Sequence, residues 1–192
     1  IDKNYIITGP NAAGKTTIIK TVMINVIFSQ QFGLGFYDKA YITPYKYLHC
    51  YINIPDTSSR DSLFQAEARR CKNIIDCIKD NVSSKHLCLF DELYSGTNPF
   101  EASASAYAFI DYISKNYNVR FLLTTHFINI CEKLEDNRNI INLHMEAYFE
   151  NDKLCYKYKI NKGISKIKGG VEVLKQLKYP DNIIDSAKKF EI

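Results

Sequence analysis

Residues 9–17 read Gly-Pro-Asn-Ala-Ala-Gly-Lys-Thr-Thr, the spacing of a phosphate-binding loop of the G-x-x-x-x-G-K-[ST] type. The apolar run Tyr5-Ile6-Ile7 before it reads as a strand, and Ile18, Ile19, Val22 and Met23 behind it recur at helical spacing. Strand, loop and helix in that order confine the chain to an α/β architecture. Gly9 and Gly14 let the backbone curl, so that the N–H groups of Pro10-Asn11-Ala12-Ala13 and their neighbours, proline excepted, can face phosphate oxygens. Lys15 is expected to reach the β- and γ-phosphates and the Thr16 hydroxyl to ligate Mg²⁺. The helix start at Thr16-Thr17 adds a positive field. The expected ligand is a nucleoside triphosphate.

A second run, His86-Leu87-Cys88-Leu89-Phe90, is nearly all apolar and ends in Asp91-Glu92. Buried parallel strands look like this, and open α/β sheets bind ligands beyond their strand C-termini. Asp91 is placed to hold Mg²⁺, and Glu92 to accept a proton from an attacking water. A third run, Val119 to Thr125, delivers His126 to the same edge, where a γ-phosphate-sensing role is expected.

At 192 residues the chain suffices for one domain with a real core and a small appendage. It opens on Ile1 and reaches a strand almost at once, as a piece of a longer protein would. A formal net charge of +4 is too mild to argue for nucleic-acid binding. Six cysteines without a C-x-x-C pair are expected as free thiols, not disulfides or zinc ligands. The location that fits is an intracellular, reducing one: cytoplasm, nucleus or virus-infected cell. The longest greasy stretch, Ile18 to Phe28, is interrupted by Lys20 and Asn25 and falls short of a membrane span.

Further along, a strand is expected from Tyr47 to Ile54, and a polar break over 55–59. A helix from near Arg60 to Lys79 follows, then one from about Phe100 to Asn116 and a hairpin over 139–160. A basic loop from Gly163 to Lys168 precedes two short helices flanking Tyr179-Pro180.

The order of these motifs resembles the ATPase domain of the MutS family of DNA mismatch repair proteins, a branch of the ABC-type ATPases. Ile7 to Thr17 is similar to I-T-G-P-N-x-x-G-K-S-T, Gln31-Phe32-Gly33 to Q-x-G, and Asp91 to Thr97 to D-E-[IL]-G-R-G-T. Thr124-Thr125-His126-Phe127 resembles a threonine-histidine-aromatic switch, and Asn142 to Met145 an N-x-H-x strand. The spacing from Gly163 to Pro180 is similar to the family's terminal helix-turn-helix. The resemblance implies a P-loop sandwich with a mostly parallel central sheet over 1–162 and a helix-turn-helix dimerisation segment over 163–192. It implies ATP and Mg²⁺ as cofactors, and a homodimer or MutS-like heterodimer around ATP that switches a DNA clamp. Mismatched duplex DNA would be bound by parts outside this chain, with no membrane partner.

The resemblance also implies a composite site. Ser62-Leu63-Phe64-Gln65-Ala66-Glu67 is similar to S-T-F-x-x-E, which makes Ser62 a ligand to the partner's nucleotide from the face opposite its own phosphate loop. Tyr158 falls beside the adenine. Catalysis would rest on Lys15, Glu92 and His126. Tyr94-Ser95 stand where the pattern has Gly-Arg, and Asn98-Pro99-Phe100-Glu101 resembles a divergent branch. The alternative is therefore such a branch, or a chromosome-maintenance motor, without mismatch recognition. An ABC motor of the ordinary kind would carry L-S-G-G-Q, which is absent. Nor does the chain carry the arginine lid of a P-loop kinase or tandem helicase motifs.

Overall fold

Successive residues of the inner strands pack into different cores, because a strand sends alternate side chains to opposite faces. Ile6, Cys88, Phe90, Phe121 and Leu123 join one cluster, while Ile7, Leu87, Leu89 and Leu122 join another. A sheet buried on both faces must be covered by helices on both. The computed structural model describes residues 2–52, 62–150, 153–165, 167 and 169–190. Among them the elements run β1 (Asn4–Thr8), α1 (Lys15–Phe32), β2 (Tyr47–Tyr51), α2 (Leu63–Asp80), β3 (His86–Asp91), α3 (Pro99–Ser114) and β4 (Val119–Thr124). They continue with α4 (Ile128–Lys133), β5 (Ile140–Glu150), β6 (Lys153–Lys162), α5 (Gly170–Gln176) and α6 (Asp181–Phe190).

The six strands form one sheet in the order β2-β3-β4-β1-β5-β6. Every pairing is parallel except β5 with β6. The expected α/β class with a mostly parallel sheet is what forms. α1 covers one face through Ile19 and Val26, and α2 and α3 cover the other through Cys71, Ile74, Ile78, Phe109, Ile110 and Ile113. Register sets the site: Asp91 pairs with Thr124, and Thr124 with Ile7, so β3, β4 and β1 end at one level.

Boundaries differ from expectation by a few residues. α2 begins at Leu63 because Ser62 caps it through a capping box: the Gln65 N–H donates to Ser62 Oγ at 3.3 Å and the Ser62 N–H to Gln65 Oε1 at 2.9 Å. The expected polar break at 55–59, the helix start at Arg60 and the hairpin turn at 151–152 lie outside the described residues. Helix α4 was not anticipated, since six residues carry too little periodicity to read.

The terminal helices flank Tyr179-Pro180 as expected. Val171 and Ile184 are buried, while Val173, Leu177 and Ile183 are exposed. No described helix is long and apolar enough to cross a membrane. All six cysteines are free, with Cys71, Cys88 and Cys131 buried and Cys50, Cys77 and Cys155 half-buried.

Candidate functional site

The loop between β1 and α1 takes its shape from left-handed backbone. Gly9 and Gly14 have φ of 154° and 96°, and Ala12 between them has 62°. Gly14 caps α1 without a side-chain bond, so the first N–H groups of the helix have no cap from that residue. Pro10 and Ala13 are buried in the loop, Asn11 and Ala12 are exposed, and Thr17 is exposed in the first turn of α1. Lys15, the first residue of α1, is only 5 % exposed. Its Nζ donates to the carbonyls of Gly9 at 3.0 Å and Pro10 at 3.2 Å and lies 3.1 Å from His126 Nε2. Burial lowers its pKa from 10.5, against the pull of Glu92 and Asp91.

One residue along α1, the Thr16 hydroxyl donates to Asp91 Oδ1 at 3.2 Å. The Thr124 hydroxyl, facing Asp91 across the β3–β4 pairing, donates to the same oxygen at 2.5 Å. A hydroxyl and a carboxylate at this separation form a hard oxygen donor set that suits Mg²⁺. Next to it, Glu92 Oε1 lies 2.9 Å from His126 Nε2. The hydrogen bond from His126 holds the Glu92 carboxyl below its ordinary 4.5, with the charges of His126 and Lys15 adding to it against desolvation. The same imidazole nitrogen faces both Lys15 and Glu92, so it plays one role at a time. Protonated, it donates to Glu92; unprotonated, it accepts from Lys15.

Two cavities flank this cluster. One of about 320 Å³ is lined by Thr16, Tyr51, Leu63, Glu67, Asp91, Glu92 and Ser95. A larger one, about 580 Å³, lies along Gly9, Pro10, Asn11, His126, Tyr156 and Val173 among others. Lys15, Thr16, Asp91, Glu92 and His126 are thus brought together. Tyr158 is exposed, and its ring comes within 3.4 Å of where a side chain on Gly14 would begin. Ser62 is exposed at the start of α2. Leu63, directly after it, lines the smaller cavity with Thr16 and Asp91. Ser62 itself is not among the residues lining that cavity, and α2 packs its first turn against the turn after Glu92, with Leu63 and Phe64 beside Gly96.

Two participants escaped the sequence. Thr124 lies within a stretch already singled out, but its bond to Asp91 depends on strand register. Glu67, 2 % exposed, accepts from the Ser95 N–H at 3.0 Å, the Ser95 hydroxyl at 2.9 Å and the Gly96 N–H at 3.0 Å. Glu67 was visible as the closing acid of the S-T-F-x-x-E match and as an acid on the apolar stripe of a helix, but neither signal named its partners.

Away from the site, His49, Cys77 and His86 bring possible metal-ligand atoms within 4.8 Å of one another. Hydrogen bonding accounts for the imidazoles. His49 Nε2 and His86 Nδ1 face each other at 3.0 Å in near-parallel rings, and His86 Nε2 lies 3.2 Å from the Asn81 carbonyl. Donation from His86 to that carbonyl leaves its Nδ1 to accept from His49, a tie between β2, β3 and the end of α2.

A family model described as MutS domain V matches residues 5–191. The DNA mismatch repair protein MutS of Listeria monocytogenes is 28% identical over 194 residues, covering 98% of this chain and 22% of that protein. MutS of Bacillus cereus is 29% identical over 189 residues, covering 96% of this chain and 21% of the relative. The chain spans about a fifth of the length of these curated relatives. With the match running from β1 through α6, the chain belongs to the MutS domain V family.

Proposed function

We propose that this chain binds and hydrolyses ATP with Mg²⁺, as the P-loop, ABC-type ATPase module of a MutS-like DNA mismatch repair protein. The observation that carries the reading is the convergence of Thr16 on Asp91 and of Lys15, His126 and Glu92 on one another, at three strand ends. Loop 9–14 wraps the phosphates with its N–H groups, and Lys15 turns from the loop carbonyls to the β- and γ-phosphates. Thr16 and Asp91 would hold Mg²⁺, which would supply positive charge against the phosphate oxygens. Glu92, a carboxylate held below its ordinary 4.5 by the hydrogen bond from His126, orients the attacking water and takes its proton as oxygen bonds to the γ-phosphorus and the bond to ADP breaks. His126 exchanges its contact with Lys15 for the γ-phosphate.

Tyr158 packs beside the adenine. Two copies, or a copy and a MutS-like partner, assemble around ATP, with Ser62 reaching the partner's nucleotide and 163–192 forming the helix-turn-helix that extends the contact. Exposed Val173, Leu177 and Ile183 support that role, as does the exposure of Ser62 at the start of α2. Mismatched DNA is engaged by parts of the protein beyond this chain. Free cysteines fit an intracellular, reducing location.

A divergent branch without mismatch recognition is the second reading. Tyr94 supports it: where the family pattern has glycine, it holds φ of 59° with a buried side chain. Calorimetric titration with ATP, with and without Mg²⁺, tests the main reading. Lys15→Ala is expected to lose ATP binding, and Asp91→Asn to lose the enhancement by Mg²⁺. Unchanged affinity in both variants would overturn it.

A further inference from the structure

The turn after Glu92 holds a backbone that its residues do not favour alone. Glu92 and Tyr94 have φ of 53° and 59°, left-handed values that a residue with a Cβ keeps only when its surroundings impose them. The Glu92 N–H is tied to the Thr124 carbonyl at 3.1 Å, and the Tyr94 N–H to the Tyr51 hydroxyl at 3.4 Å. The next two residues are tied by Glu67, whose two carboxylate oxygens collect the Ser95 N–H, the Ser95 hydroxyl and the Gly96 N–H. Contact closes the remaining space. A Cβ on Gly96 would fall 2.6 Å from Leu63 Cγ and 2.7 Å from the Phe64 nitrogen, and the Phe64 and Tyr94 rings meet at 5.6 Å.

We propose that Glu67 is a positioning residue for hydrolysis, acting through Glu92: its buried carboxylate clamps the turn to α2 and thereby fixes where the Glu92 side chain stands. The inference rests on the assignment of Glu92 above. A carboxylate offers acceptors on both oxygens, which is what two N–H groups and a hydroxyl require. An amide there presents an NH₂ to one of the donors in either orientation. Glu67→Gln therefore conserves shape and releases part of the clamp.

The test is a double-mutant cycle of Glu67→Gln and Glu92→Gln in the full chain, reading kcat, KM for ATP and thermal midpoint. Glu67→Gln alone is expected to lower kcat about tenfold while leaving KM within about twofold, because binding groups are untouched. In the Glu92→Gln background the same change is expected to lower the residual rate by less than about twofold, since the residue it positions no longer works. Ser95→Ala gives a milder probe that keeps both N–H bonds and the fold. It should show a smaller fall in kcat that also vanishes in the Glu92→Gln background. Equal losses in both backgrounds, or a lowered thermal midpoint with kcat unchanged, would overturn the inference. A slow Glu92→Gln beside a fast Glu67→Gln removes this inference alone, whereas a Glu92→Gln as fast as wild type removes the assignment of Glu92 as well.

Discussion

Lys15 and Glu92 carry opposite charges toward one imidazole, and their environments shift both pKa values downward. Desolvation lowers Lys15 from 10.5, and the hydrogen bond from His126 lowers Glu92 from 4.5. kcat/KM reports groups of the free enzyme, so both shifts belong in its pH profile. A base must be deprotonated, which puts the acid limb due to Glu92 below pH 4.5. The lysine must be charged, which puts its alkaline limb below pH 10.5. A limb that moves with Glu92→Asp but lies above pH 4.5 would contradict the environment described. The loop, Lys15 and Thr16 were legible in the sequence because their spacing encodes the chemistry. The contacts of Thr124 and Glu67 were not, although both residues fall in matched motifs, because each acts on a group 33 or 28 residues away through a fold that no local pattern spells out.

Among the elements, β1, β3 and β4 were readable because strands buried on both faces are nearly continuous apolar runs. α2 was readable from its single buried stripe. α1 defines no such stripe, since Ile24 and Ile27 remain exposed while Ile19 and Val26 are buried, so its extent to Phe32 goes well beyond the pattern read at Ile18 to Met23. The pair that ties β2 to β3 makes a separate prediction. Burial, with smaller contributions from the charges of His86 and Arg70, lowers His49 from 6.5 to about 4. Between those values the unfolded chain binds a proton that the folded one refuses, so stability falls as pH drops from 6.5 toward 4 and is fully present above 6.5. Urea unfolding of wild type and His49→Gln across that window should show a slope in wild type that is shallower in the variant. Parallel slopes would mean that His49 is not held neutral.

For the whole molecule, the class of sheet and its binding edge followed from βα alternation, while the position of the α2 start did not. Leu63 shares a cavity with Thr16 of its own chain, which sets a site within one subunit against the composite one. Mixing separates the two. Lys15→Ala and Ser62→Arg are each expected to be inactive alone. Mixed in equal amounts with Mg-ATP, half the dimers pair one of each, and one of their two sites is intact in a composite arrangement. Activity should return to roughly a quarter of wild type if the site is shared across a two-fold interface, and a mixture that stays inactive would place Ser62 in its own subunit's site. The central claim is tested most directly by single-turnover hydrolysis of prebound Mg-ATP in wild type and Glu92→Gln. The variant is expected to bind ATP as wild type does and to hydrolyse it ~10²-fold more slowly or worse, as the loss of a general base requires; equal rates in the two proteins would contradict it.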